Sequence, residues 1–348
     1  MASDYVENLL TLGESTPLKD DLSGVAIPAW FDERKFKRAQ RYFQRNFAAI
    51  YYGTICGLLA VMSVPSILNA LVFATGGKPS FRVAARRYLG ALRHTINWYC
   101  EDPKLLESSS WQSLKHVRQV HSSIQRRAKT SNYGVIISQR DMAITQFAFF
   151  GFVILNPNKL GAQNDPRDLD AMCHFWRVFG YLLGMEDRFN LCTDSFQETC
   201  YRMETLLENF IKPSFEQRTE KCDEAYRDLL EGLWCFNVLL DYKALTYCAG
   251  RVVGSSKFSQ YWCTDSVQDN DDSKLQLNME WKSRVVLFLI LTIHEVLLKY
   301  ELFRRCFNTA LIASGQAAFW IYSQVGGTLQ RFVQNFMNVI IHKPHTLS

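Results

Sequence analysis

The sequence contains no HExxH zinc motif, no GxxxxGK(S/T) phosphate loop, no GxGxxG after a strand pattern and no GxSxG elbow. The metalloprotease, P-loop, dinucleotide-binding and hydrolase chemistries that depend on those motifs are therefore not written in it. Runs that alternate apolar and polar residues are scarce, which sets aside α/β-hydrolase and dehydrogenase folds. The ten cysteines form no CxxC pair and no short repeating spacing. Cys56, Cys173 and Cys235 lie within apolar segments and read as small buried hydrophobes, so a reducing compartment without a disulfide framework is expected. Charge of one sign is also missing. The 39 basic and 34 acidic residues leave a net charge of +5, and the basic residues are spread along the chain, which argues against nucleic acid as a partner. The opening MASDYVENLLTLGES carries early acids and no basic region ahead of an apolar stretch, so no secretory signal is expected. The expected location is intracellular, either cytoplasmic or peripheral on an internal membrane.

What is present is apolar and helical. In 348 residues, 48% hydrophobic and 14% aromatic content supports a large core. The expected fold is all-α, a single large helical domain built around a buried cofactor pocket. Its anticipated divisions are a flexible lead-in over 1–28, a helical domain over 29–250, a polar loop over 251–275 and C-terminal helices over 276–348.

The chain turns on residues 111–155. Trp111, Leu114, Val117, His121, Ile124 and Ala128 recur at steps of three and four and so share one helix face, with Arg118 at its border. An imidazole in an apolar wall beside a guanidinium suits an iron porphyrin, because the ring nitrogen can ligate iron and the cation can meet a propionate. The same pattern equally describes a core histidine held by hydrogen bonds. Ser138 and Asp141 then have capping-box spacing ahead of a helix that is apolar nearly all round, interrupted only by Thr145 and Gln146. After a loop rich in Asn, Pro and Gly, Asp165 caps a further helix with Pro166 in its first position and Asp168 in its first turn. That helix carries Trp176, Arg177, Gly180 and Gly184, the two glycines leaving room for another helix or a flat ligand. His174 borders its apolar face, either as a structural group or as a second ligand.

VRQVH, SQRDMAITQFAFFGFVILNP and DLDAMCHFWRVFGYLLGMEDRFN, in that order, resemble the oxygenase catalytic domain shared by ER-bound mpaB-type oxygenases of fungi and latex clearing proteins of bacteria. The likeness runs from about Phe43 to about Lys243. It implies a haem b-dependent oxygenase that cleaves a carbon–carbon double bond of a prenyl chain with dioxygen, its iron held by His121. Arg118, His174 and Thr145 are the further cofactor-side residues, and an apolar small molecule or lipid is the implied substrate. In that family an arginine is followed about one helical turn later by a lysine or threonine on the oxygen side. Here Arg86 and Arg87 are followed by Gly90 and Ala91, with His94 and Thr95 one turn further, so Arg87 is left as the catalytic candidate. Retention of the scaffold as a haem- or lipid-binding protein without turnover is the alternative.

Elsewhere the sequence is less specific. Phe36, Ala39, Phe43 and Phe47 share a face of a basic helix that suits either a domain coat or an anionic membrane surface. Residues 46–77 hold no formal charge, but Pro65 divides them, predicting two buried helices rather than one span. Ser195 to Phe210 and Asp223 to Tyr247 predict two more helices, and Asp187 with Arg188 an ion pair. The C-terminal apolar runs at 285–293 and 307–330 suit core helices or peripheral membrane contact. Between them His294 beside Glu295 suggests either a proton relay or a buried histidine held by its neighbours.

Overall fold

The computed structural model describes all residues except 1, 20–25, 77–80, 103, 105–106, 132–136, 235–236, 256–278 and 326–348. Cys235 and the polar loop expected at 251–275 fall largely outside the described residues. The described chain is all-α. It contains no strand among the described residues, only an isolated bridge between Pro17 and Ser138.

The central element is α7 (Gln139–Leu155). The Ser138 hydroxyl accepts from the Asp141 amide at 3.1 Å, satisfying a first-turn donor as the sequence spacing predicts. A helix apolar on every side must be surrounded. α3 (Phe47–Met62) lies along it, α1 (Ala2–Ser15) and α9 (Pro166–Leu182) also pack against it, and fourteen of its seventeen residues are buried. Gly57 is where α3 comes closest, because a Cβ there would collide with the carbonyl of Ala148.

The charge-free stretch divides as expected. α3 ends at Met62 and α4 (Pro65–Ala74) opens with Pro65 at its first position, the two bent by 99°. α4 is less buried than the sequence suggests, with only Ile67 and Leu68 fully covered. No single described helix is long and apolar enough to cross a membrane.

α2 (Glu33–Arg45) buries Phe36, Ala39 and Phe43 against α9. Phe43, Tyr99 and Phe175 form a continuous ring stack, with centroids 3.9 and 4.1 Å apart. Asp168, buried at the start of α9, receives Arg38 Nε at 2.5 Å and Arg45 at 2.8 Å, tying the basic helix to the domain.

Several expectations are corrected. The lead-in is a docked helix: Leu9 of α1 is fully buried and the Tyr5 hydroxyl donates to the Phe189 carbonyl at 2.9 Å. Its short apolar pattern was hidden among acids. The long helix over 223–247 is two, α12 (Glu220–Trp234) and α13 (Tyr242–Val253), because Asp241 caps a new start by accepting from the Ala244 amide. Arg188 pairs with Glu186 at 2.7 Å, not with Asp187. Gly180 accommodates the side-chain amides of Gln146 and Asn190, and Gly184 takes φ +99° against the Lys19 carbonyl, so both rooms are filled by the chain itself.

The remaining elements complete the shell. α10 (Phe196–Leu206) is capped by Ser195 and runs through a wide π turn into α11 (Lys212–Glu216). α14 (Trp281–Leu291) leads through irregular turns to α15 (Glu301–Val325). His294 is buried, with its Nδ1 2.9 Å from the Leu160 carbonyl and its ring stacked on Tyr52. Glu295 instead pairs with Arg251 at 2.7 Å, so His294 is a structural histidine and no relay joins the two. The eight described cysteines are all unbridged, Cys56 and Cys173 buried as expected.

Candidate functional site

α5 (Phe81–Cys100) and α6 (Ser109–Thr130) form an antiparallel pair against α12 and α9-side structure. His94 Nδ1 meets the Ser113 hydroxyl at 2.7 Å, and its ring stacks on His116 at 5.3 Å. Counting outward from that contact, Arg87 precedes His94 by two turns and His121 follows Ser113 by about two turns, roughly 11 Å along the axes. The pairing therefore brings Arg87 and His121 to one level of the helix pair.

These two helices hold an unusual set of unpaired polar atoms. Arg87 Nε, Trp98 Nε1, Ser110 Oγ, Trp111 Nε1 and His121 Nδ1 are all buried and without hydrogen-bond partners among the described residues. Buried polar atoms are ordinarily satisfied, and each orphan is destabilising by about 1–3 kcal/mol. Among the described residues such orphans are concentrated on this helix pair.

His121 has the right electrostatics for a ligand. Burial first, and then the nearby Arg118 charge, push its pKa down to about 4, so the imidazole is neutral at physiological pH with a lone pair available.

The other residues singled out from sequence have different surroundings. Arg118 is buried, but its two terminal nitrogens donate to the carbonyls of Leu182 at 2.9 Å and Lys19 at 3.1 Å. It staples α6 to the end of α9 rather than presenting those donors to a propionate. Thr145 turns its hydroxyl back to the Asp141 carbonyl of its own helix at 2.7 Å. His174 Nε2 accepts the Asp32 backbone amide at 3.0 Å, and its ring sits edge-on to Trp30. Burial, then Lys35, lower its pKa to about 4, which keeps that nitrogen an acceptor. These bonds place His174 at the start of α2 as an anchor.

Arg87 donates to the Leu71 carbonyl at 3.1 Å and to the Tyr88 hydroxyl at 2.8 Å. It lines a cavity of about 40 Å³ with Met62, Leu68, Leu71, Tyr88 and Ala225, between α4, α5 and α12. No α6 residue lines that cavity. Arg87 and His121 are thus close in level along the pair, but His121 is not among the residues that line this cavity. Beyond them, Thr95 bonds to the Ala91 carbonyl at 3.0 Å, and a Cβ at Gly90 would meet nothing within 4 Å.

Against a haem the fit is divided. His121 suits an axial ligand by its neutrality and by an enclosed ring nitrogen that is unpaired among the described residues. Yet the cavity beside Arg87 is about 40 Å³, whereas ligand pockets occupy roughly 300–1,000 Å³. The aromatic residues Phe147, Phe150 and Phe152 of α7 are packed core, with Phe150 stacked on Trp176 at 5.4 Å.

The sequence did not reveal Gln146 as a structural hub. Its amide joins the Trp176 carbonyl at 2.7 Å, Asn190 and the Leu191 amide, all within the core. The only hint was a polar residue on an otherwise apolar helix.

Comparison with known proteins fits this architecture. The family described as "ER-bound oxygenase mpaB/B'/Rubber oxygenase, catalytic domain" matches residues 40–255. A rubber oxygenase from Streptomyces sp. (strain K30) is 24% identical over 170 residues, covering 47% of this chain and 41% of that protein. The chain thus matches less than half the length of this relative. Among solved structures, latex clearing protein in its closed state superposes with a TM-score of 0.53 at 16% identity, covering 88% of each chain.

Proposed function

This chain belongs to the mpaB/rubber oxygenase catalytic-domain family, and from that premise we propose a haem b-dependent oxygenase that uses dioxygen on an apolar, isoprenoid-like alkene. The observation that carries the reading is His121: half-buried, neutral, and with a buried Nδ1 that is unpaired, in the helix pair that holds most of the orphaned polar atoms among the described residues. Haem iron, when bound, supplies dioxygen activation. The protein's part is to hold the iron through His121, keep that ring neutral by burial and the Arg118 charge, and exclude water from the apolar surroundings. Arg87, beside Arg86 on α5 and within about one residue of the level of His121, is the catalytic residue proposed on the oxygen side.

A second reading is a haem- or lipid-binding protein without turnover. It is favoured by one observation: the Arg87 guanidinium is committed to Leu71 and Tyr88, and Gly90 supplies no side chain one turn on.

Protein produced with ample haem precursor, mixed with a short polyprenyl alkene, is expected to consume dioxygen and yield carbonyl-ended fragments by mass spectrometry. Arg87→Ala should lower the rate by roughly tenfold to a hundredfold, as loss of a charged donor does. Haem-loaded protein that consumes no dioxygen would establish the second reading. Protein that takes up no haem would overturn the first reading and the haem-binding form of the second.

A further inference from the structure

α14 has two apolar sides and only one of them is covered. At 100° per residue, Ser283, Leu287 and Ile290 occupy one arc and are buried against the chain. Trp281, Val285 and Phe288 occupy the opposite arc, within about 60° of one another. Trp281 is 71% exposed and Phe288 62% exposed. The turn that follows and the start of α15 continue in kind, with Val296, Tyr300 and Leu302 exposed, Leu302 at 77%. Isolated exposed apolar residues are ordinary, but a run of aromatic and aliphatic side chains along one helix and its continuation calls for an apolar partner.

Charge decides which partner. The acids beside this face are each neutralised: Glu280 by Lys243 at 3.5 Å, Glu295 by Arg251 at 2.7 Å and Glu301 by Arg305 at 2.5 Å. Lys282, Arg284 and Lys299 have no carboxylate within ion-pair distance among the described residues. By helical position Lys282 and Arg284 flank the apolar arc on its two sides. Among the described residues the face is therefore an apolar strip with exposed aromatic residues at Trp281 and Tyr300 and cations at its margins that meet no carboxylate.

We infer that this face of α14 and the turn after it dock on the surface of an anionic lipid bilayer. The apolar strip enters the boundary between headgroups and acyl chains, the Trp and Tyr rings sit at headgroup level, and the cations meet anionic headgroups. A second copy of the chain fits less well, since a two-fold contact through this strip would set the same three cations against one another. The inference rests on the surface alone and is independent of the haem reading.

The test is co-sedimentation of the full chain with large vesicles of phosphatidylcholine alone or with about 30% phosphatidylserine. Binding at least about tenfold stronger to the anionic vesicles is expected, weakening as salt is raised. The pair Val285→Glu with Phe288→Glu, and separately the pair Lys282→Glu with Arg284→Glu, should each reduce binding by about tenfold or more. The circular dichroism of both pairs should match the parent because all four residues are exposed, while the Lys282→Glu/Arg284→Glu pair also loses the Arg284 Nε bond to the Met279 carbonyl at 3.0 Å and should unfold slightly earlier. Binding to neither vesicle overturns the proposal, as does binding that neither pair weakens. A dimer by light scattering that Val285→Glu with Phe288→Glu converts to monomer, without vesicle binding in either form, would assign the face to a second copy instead.

Discussion

Gly57→Ala is expected to destabilise the fold by roughly 3 kcal/mol or more, whereas Gly53→Ala, one turn earlier on the same helix, should cost about 1 kcal/mol. Both glycines face the α3 contact with the rest of the core. At Gly57 a Cβ would strike the backbone of Ala148, which cannot yield without moving α7. At Gly53 it would meet the tips of Leu160 and Val153 at 2.9 and 3.1 Å, side-chain ends that can rotate aside. Glycine to alanine within a helix otherwise favours the helix by up to about 1 kcal/mol. A loss at Gly57 therefore isolates the collision from the change in helix propensity. Urea denaturation of both variants checks this. Equal stability of the two would show that α3 and α7 are not pressed together at Ala148.

The second large effect is loss of stability in mild acid. His121, His174 and His294 all have pKa values pushed down to about 4, in each case first by burial. The unfolded chain restores the ordinary value near 6.5. Between those values the unfolded state binds more protons than the folded one, so stability is full above about pH 6.5 and falls as pH drops towards 4. For His294, almost wholly enclosed and held by Leu160, the loss across the window is roughly 3 kcal/mol. His94 adds in the same direction, its pKa lowered by burial and then by His116. Carboxylates such as Asp32 and Asp165, whose pKa values are also depressed, take over only at lower pH. The unfolding midpoint of haem-free protein should drop steeply from pH 7 to 5. His294→Gln should be less stable at pH 7 but show a shallower slope. A midpoint unchanged between pH 7 and 5 would show that these rings are not buried as neutral groups.

The parts of the fold legible in the sequence were those governed by local rules. Ser138 ahead of α7 and Asp165-Pro166 ahead of α9 use their own side chains and ring to start a helix, so a few neighbouring residues determine the boundary. Pro65 ended one apolar helix and began another for the same reason. What stayed hidden depends on residues far apart in the chain. α1 is a helix worth forming only because Leu9 and Tyr5 find α7 and the loop at Phe189. Arg118 looks like a cation beside a histidine until the chain ends of α9 and Lys19 arrive to take its donors. Gly180 and Gly184 announce a close approach without saying by what, and the answer is the side chains of Gln146 and Asn190 and the Lys19 carbonyl.

The candidate site follows the same division. A helical repeat of three and four put His121 on a face with Trp111, Leu114 and Ala128, which are buried, while Val117, His121 and Ile124 of the same face are only half-buried. Arg87 lies on α5, but the direction of its side chain is decided by Leu71 of α4 and by Tyr88, which no spacing within α5 encodes. Sequence periodicity fixes the face of a helix. It does not fix which of several neighbours a long flexible side chain will choose.

The most direct measurement is the visible spectrum of protein produced with ample haem precursor, compared across wild type, His121→Ala and His174→Ala. A Soret band is expected in the wild type, absent from His121→Ala and retained in His174→Ala, because His174 Nε2 is already occupied by the Asp32 amide. A band that survives His121→Ala unchanged, or a wild-type protein with no visible absorbance, would contradict the assignment of His121 as the iron ligand.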